Sequence, residues 1–220
     1  AWPMEMLQQF GLVKISEQDK KPYPFFRDRL LFPVSDRRNR PIAFGGRVLP
    51  GSLAAQKGAP KYLNSPDHPL FHKGQMLYNA ARLKQQSDSP PLLVEGYMDV
   101  IALHQFGFTR AVAPLATAVT EPQLQELWRL SQGQTPILCF DGDAAGQRAA
   151  WRALERALPL LAAGQSLRFA FLPEGSDPDS LLRQHGKAAL QRCLDQALPL
   201  ADLLWQQNFA TSDSRTPEGR

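Results

Sequence analysis

From Pro91 onward the chain repeats one rhythm: a short apolar run, a turn carrying acid or glycine, then a segment with helical spacing. Leu92-Leu93-Val94, Ala111-Val112-Ala113, Ile137-Leu138-Cys139-Phe140 and residues 166–172 read as strands, continuous in apolar character rather than alternating. Helical patterns separate them. Met98, Ile101, Ala102 and Gln105 mark one side of the first, Leu124, Leu127 and Trp128 the face of the second, and Trp151, Leu154, Ala157 and Leu158 that of a long third over 144–161. Thr120-Glu121-Pro122-Gln123 opens the second helix as a capping box. Strands alternating with helices predict an α/β core: a parallel sheet with right-handed crossovers and helices on both faces. In such a sheet the loops after the strands open on one edge, where open α/β sheets place their ligands.

The acids of this half follow those strands. Glu95 ends the first, Asp141-Gly142-Asp143 follow the third, and Asp177 and Asp179 follow the fourth. Residues i and i+2 of an extended segment project to one side, so the two carboxylates of Asp141 and Asp143 can converge beyond the strand. Local duties exist for some of them. Asp143 can cap the helix from Ala144, and Asp177 can cap one whose first residue is Pro178. Asp99 is a first-turn acid that the helix dipole favours, and a structural and a functional role fit it equally. Five carboxylates on one rim exceed what capping requires, and Glu95, followed at once by Gly96, needs a partner of another kind. Converged carboxylates repel unless a cation lies between them, and oxygen-only ligands suit Mg²⁺ or Mn²⁺.

Charge divides the chain. Residues 1–90 hold 14 Lys and Arg against 7 Asp and Glu, and residues 91–220 hold 11 against 14. A basic half beside an acidic half predicts one surface for phosphates and another for cations. In the basic half, PFFRDRLLFPV and PIAFGGRVL flank the polar turn from Ser35 to Arg40 and read as a β-hairpin, with Arg27 and Arg29 at strand spacing and Gly45-Gly46 marking a bulge or a close backbone approach. Residues 61–79, KYLNSPDHPLFHKGQMLYN, alternate Tyr62, Phe71 and Tyr78 with Lys61, His68, His72 and Lys73, plus Asn64 and Ser65. Aromatic faces stack on bases while ammonium groups hold phosphate; the same aromatics can instead pack beneath the loop. His68 and His72 straddle Pro69 and have no accompanying Glu, so they read as hydrogen-bonding groups rather than metal ligands. Residues 82–90 end a helix and form a linker.

No run of about 18 apolar residues is present to cross a membrane, and the opening AWPMEMLQQF lacks the pattern of a signal peptide. The ends read as those of a piece cut from a longer chain. Cys139 and Cys193 lie in apolar patterns without CxxC spacing, which predicts buried thiols in a reducing, cytoplasmic setting and no zinc site.

VEGYMDV (Glu95), FDGDAAG (Asp141, Asp143) and EGSDPDS (Asp177, Asp179) resemble the acidic motifs of the TOPRIM domain of primases, topoisomerases and some nucleases. FRDRLLFPV, IAFGGRVL and KYLNSPDHPLFHKGQMLY resemble the RNA-polymerase domain of DnaG-type bacterial primases, so the resemblance runs from about Phe25 onward. It departs at ATAVT, residues 116–120, where the family usually has Gly in place of Ala116. The resemblance implies a TOPRIM-type sheet at 89–186, preceded by a basic mixed α/β subdomain at 1–88 and followed by a helical segment at 187–220. It implies synthesis of short RNA primers on a single-stranded DNA template from ribonucleoside triphosphates, at the replication fork, with a replicative helicase reached through a domain not present in this sequence. Glu95, Asp141, Asp143, Asp177 and Asp179 would hold Mg²⁺ or Mn²⁺, with Glu95, Asp141 and Asp143 catalytic. Lys61 and Lys73 would contact nucleotide; Arg47, Arg27, Arg29, Tyr62 and Asn64 would join Lys61 along the nucleic acid. A TOPRIM nuclease would share the acids but not KYLNSP, a topoisomerase would need a catalytic tyrosine elsewhere, and a single-strand-binding module would have no use for five acids.

Overall fold

The computed structural model describes residues 2–84, 87–115 and 118–211. In chain order the elements are α1 (Met4–Gln9), β1 (Val13–Ile15), β2 (Pro22–Pro24), β3 (Arg29–Ser35), β4 (Pro41–Val48), α2 (Leu53–Gln56), β5 (Tyr62–Asn64), β6 (Leu77–Tyr78), β7 (Leu92–Leu93), α3 (Tyr97–Gln105), β8 (Ala111–Pro114), α4 (Glu121–Leu130), β9 (Ile137–Phe140), α5 (Ala144–Ala157), β10 (Arg168–Phe171), α6 (Pro178–Asp195), β11 (Leu198–Pro199) and α7 (Leu200–Thr211).

A six-stranded sheet in the order β11-β10-β9-β7-β8-β6 forms the centre. The four inner strands are parallel, and both edge strands run antiparallel. Because successive side chains of a strand point to opposite faces, the sheet builds two cores. Leu93, Val112, Leu138, Phe140 and Phe169 face α4, α5 and α7, where Leu127, Leu154 and Leu203 pack. Leu92, Ala111, Ala113, Ile137, Cys139 and Ala170 face α3 and α6, where Leu103, Leu182 and Leu190 pack. The α/β core with helices on both faces is therefore present as expected.

Three local readings differ. The buried side of α3 is Tyr97, Val100, Ala102 and Leu103 rather than the stripe through Met98, Ile101 and Gln105. Both stripes are apolar enough to face inward, and contact with α6 and the sheet selects between them. The helix expected over 144–161 stops at Ala157 and tightens into a 3₁₀ turn at Leu158–Leu160, with Pro at its second position. Residues 187–211 are more than a helical appendage. After a break at Gly186 (φ 71°, ψ −179°), α6 resumes, β11 pairs with β10, and Leu200 and Leu203 enter the core.

In the basic half, β3, β4 and β5 make an antiparallel sheet, with the Ser35–Arg40 turn tied by Asp36, whose carboxylate accepts the Arg38 and Arg40 amides at 2.8 and 3.0 Å. The strand starts at Arg29, because Asp28 adopts φ 53° and ends any extension from Phe25. Residues before β3 form α1 and the β1–β2 hairpin. Phe71 is fully buried with Val34, Ala43 and Leu115, so the satellite-core reading holds for that aromatic. His68 is buried against Phe10 and Phe71, with Nδ1 accepting the Leu70 amide at 3.3 Å.

The two halves are joined through polar groups. β6 adds residues 77–78 to the edge of the large sheet. Gln123, fully buried at the start of α4, donates to the Lys73 and Met76 carbonyls at 2.9 and 2.8 Å, while Thr120 and Gln123 complete the expected capping box. Glu126 on α4 receives two hydrogen bonds from Arg37 of the hairpin turn, at 2.9 and 2.7 Å, and two from Arg129. Among the described residues no helix is long and apolar enough to cross a membrane.

Candidate active site

Parallel pairing puts the C-terminal ends of β7, β8, β9 and β10 on one edge. The loops there are coupled. Gly142 donates to the Ser176 carbonyl and accepts from the Gly175 amide, both at 2.9 Å, so the loops after β9 and β10 move as one. A Cβ at Gly142 would overlap the Pro173 carbonyl oxygen, and one at Gly146 would overlap the Asp141 carbonyl oxygen. Each spacer in DGDAAG is thus a point of backbone approach that only glycine permits.

A cavity of about 500 Å³ lies between this edge and the β3–β4–β5 sheet. Glu95, Asp141, Asp177 and Asp179 line it on one side, and Arg47, Lys61, Tyr62 and Asn64 on the other. Arg47 on β4 sits directly across from Tyr62 on β5, with the Arg47 guanidinium 5.8 Å and the Lys61 ammonium 5.6 Å from the Tyr62 ring centre. Asn64 donates to the Leu115 carbonyl at 2.7 Å, fixing β5 to the loop after β8.

The carboxylates differ in what holds them. Asp141 carries a buried Oδ1 without a hydrogen-bond partner among the described residues, and its backbone amide donates to Glu95 Oε1 at 3.2 Å. Burial first, then the charges of Glu95, Asp99, Asp177 and Asp143, push its acid up to about 7. Asp143 caps α5 through the Gly146 amide at 2.7 Å, and Asp177 caps α6 through the Ser180 amide at 2.7 Å, so the local duties read from the sequence are real. Asp179 pairs with Arg183 at 2.6 Å yet still faces the cavity.

The structure brings Asp99 to the same rim, beyond its role at the start of α3, where its carboxylate accepts the Gly96 amide at 3.1 Å. Burial, then Asp177, with Glu95 and Asp179 adding, raises it to about 7 as well. Asp99 thus has both of the roles that fit it from sequence, whereas Tyr97 is a residue that sequence reasoning left out. Its ring packs with Phe32, Tyr62 and Tyr78 at centroid distances of 5.0 to 5.7 Å, and its buried hydroxyl has no partner among the described residues. Burial, reinforced by Tyr62, pushes that hydroxyl up to about 12. The signal was present in EGYMDV, since both residues follow Glu95 within four positions.

Four expected site residues are not in the cavity lining: Asp143, Lys73, Arg27 and Arg29. Lys73 is exposed in the segment after Phe71, its amide donating to Asp67 at 3.1 Å. Arg27 stacks on Tyr23 at 4.5 Å. Arg29 donates to the Pro60, Gly46 and Lys61 carbonyls at 2.7, 3.2 and 3.5 Å, tying β4 to the segment that leads into β5. Ala116 lies outside the described residues.

Oxygen-only donors, one of them buried and unpartnered, suit a hard divalent cation. As arranged, no three His, Cys, Asp or Glu groups among the described residues stand close enough together to hold an ion.

Residues 1–84 match the family described as the N-terminal domain of the DNA primase catalytic core, and residues 91–170 match the Toprim domain. The chain is 48% identical over 218 residues to the DNA primase of Pasteurella multocida, covering 98% of this chain and 36% of that protein. It is 46% identical over 212 residues to the DNA primase of Escherichia coli K12, covering 96% and 35%. It thus spans about a third of the length of these curated relatives. Among solved structures, a DNA primase domain from Pseudomonas aeruginosa superposes with a TM-score of 0.87 at 47% identity, covering 98% of this chain and 66% of that one. A DnaG primase catalytic domain bound to single-stranded DNA superposes with a TM-score of 0.86 at 44% identity, covering 98% and 67%. The N-terminal match separates the chain from nucleases and topoisomerases that share only the Toprim acids. With both family matches, the shared identity and the superposed fold in hand, the chain belongs to the DnaG-type DNA primase family, spanning the N-terminal part of its catalytic core and its Toprim domain.

Proposed function

We propose that this chain carries the nucleotidyl-transfer centre that makes short RNA primers on a single-stranded DNA template, drawing on ribonucleoside triphosphates and releasing pyrophosphate. The observation that carries the reading is that Arg47 and Lys61 face Glu95, Asp141, Asp177 and Asp179 across one cavity. Phosphoryl transfer is mainly a matter of position and charge neutralisation, and this cavity offers cations for phosphate oxygens opposite acids for metal.

Glu95, Asp141, Asp143, Asp177 and Asp179 would hold Mg²⁺ or Mn²⁺, and Asp99 stands close enough in charge to take part. Ions held there would supply Lewis-acid neutralisation of the reacting phosphate and lower the pKa of the attacking hydroxyl. Glu95, exposed at the rim and tied to the Asp141 amide, is placed to accept a proton from that hydroxyl. Lys61 and Arg47 orient the triphosphate and the template backbone; Tyr62 offers a face for a base, and Asn64 fixes the strand that presents it. Lys73, Arg27 and Arg29 would serve template phosphates outside the cavity. The role places the protein at a cytoplasmic replication fork, in reach of a replicative helicase.

The test is ribonucleotide incorporation on single-stranded DNA by an Escherichia coli primase in which this segment replaces its counterpart. Asp141→Asn and Lys61→Ala should each remove most of the product. Template-directed RNA made equally well by both variants would refute the assignment.

A further inference from the structure

We propose that the opposite edge of the six-stranded sheet carries a second ligand site, built for a small phosphate monoester with a ring attached. A cavity of about 260 Å³ opens there, where β7, β9 and β10 begin, so the sheet itself separates it from the acidic rim. Arg110, Arg168 and Lys187 line it, with Asp195 as its acid and Phe108 and Leu194 among its apolar walls.

Among the described residues none of the three cations has a salt-bridge partner. Arg110 is 3% exposed. Its Nη1 donates to the Ser87 and Ser89 carbonyls and Gln134 Oε1 at 3.2, 2.7 and 2.6 Å, and its Nη2 to the Leu83 carbonyl at 3.2 Å. These are neutral acceptors, and its Nε is buried with no partner among the described residues. A guanidinium cannot shed its proton, so its charge persists in a place where an unpaired charge is costly. Arg168 gives Nε and Nη2 to the carbonyls of Ala197 and Asp195, and its Nη1 has no hydrogen-bond partner among the described residues. Lys187 is exposed, lies 5.3 Å over the Phe108 ring, and has no carboxylate partner among the described residues. Asp195 has one oxygen tied to Gln191 at 2.8 Å and cannot balance all three.

The open donors of Arg168 and Lys187, with the buried Arg110 charge beside them, call for an anion with several acceptor oxygens. The cavity falls just under the roughly 300 Å³ at which pockets for drug-sized ligands begin. Bare phosphate would use the donors and leave Phe108 and Leu194 uncovered, whereas a sugar phosphate or nucleoside monophosphate engages both. This site does not depend on the proposed primase chemistry.

The experiment is isothermal titration of the chain with 5′-AMP, ribose 5-phosphate and inorganic phosphate, in EDTA so that the acidic rim recruits no nucleotide through metal. AMP should bind at one site and more tightly than phosphate. Lys187→Ala, a surface change, should weaken it roughly tenfold or more, and Lys187→Glu should abolish it, with thermal melts confirming that both variants fold. Lys61→Ala should leave the titration unaltered. Absence of heat at millimolar AMP, or binding lost in Lys61→Ala and kept in Lys187→Glu, overturns the proposal. Bare phosphate binding as tightly as AMP overturns the assignment to an ester.

Discussion

Replacing Asp141 with Asn should make the metal-free protein more stable. Asp141 is pushed from its ordinary 3.8 to about 7 by burial and by the surrounding acids. A carboxyl whose folded-state value lies above its unfolded one binds its proton more tightly when folded, so stability is greatest below pH 4 and falls as pH rises toward 7. At about 1.4 kcal/mol per pH unit the displacement sets a ceiling of about 4 kcal/mol. The carboxyl is only partly buried, and solvent screening brings the expected loss to about 2 kcal/mol. Asn keeps the shape, removes the charge, and offers an amide to Glu95. Urea unfolding in EDTA from pH 3.5 to 8.5 should therefore show the native chain losing about 2 kcal/mol through this group and Asp141→Asn losing less, the remainder coming from Asp99, which titrates in the same range. Mg²⁺ should restore the native chain at pH 8 and leave the variant unmoved. A variant less stable than the native chain at pH 8 without metal would refute the argument that uncompensated charge dominates this rim.

Glu126→Gln should cost about 2 kcal/mol in urea unfolding at pH 7, because a buried carboxylate taking four hydrogen bonds from Arg37 and Arg129 is lost at the junction of the two halves. Burial raises that acid, but the hydrogen bonds from Arg129 and Arg37 outweigh it and hold it below 4.5, so the contribution should fade as pH drops through the acid range. Gly142→Ala should destabilise by about 3 kcal/mol, since the added methyl meets backbone rather than a movable side chain; a melting temperature equal to the parent's would contradict this. Lys61→Ala should weaken single-stranded DNA binding and lower the salt dependence by about one released counterion, read from affinities over a series of salt concentrations; an unchanged slope would place Lys61 off the phosphate track.

The acidic rim was legible because two simple periods determine it. Apolar runs that lack alternation imply a sheet covered on both sides, parallel order sends the following loops to one edge, and Glu95, Asp141 and Asp177 each stand at such an end. Other assignments were not open to that logic. Lys61 and Lys73 occupy equivalent places in an alternating aromatic and basic segment, yet only Lys61 faces the cavity. The difference is made by Phe71, whose burial with Val34, Ala43 and Leu115 turns the chain away after β5. Arg29 stands at the spacing of a phosphate contact, yet the carbonyls of Gly46 and Pro60 hold part of its guanidinium outside the cavity lining.

Local sequence therefore decided the strands, the caps at Thr120, Asp143 and Asp177, and the edge on which the acids gather, because each depends on residues a few positions apart. Which apolar stripe of α3 turns inward, which lysine meets the acids, and how far each carboxyl is raised were settled only when distant segments packed together. Those outcomes rest on burial and on through-space charge, and neither quantity exists until the chain has closed around the site.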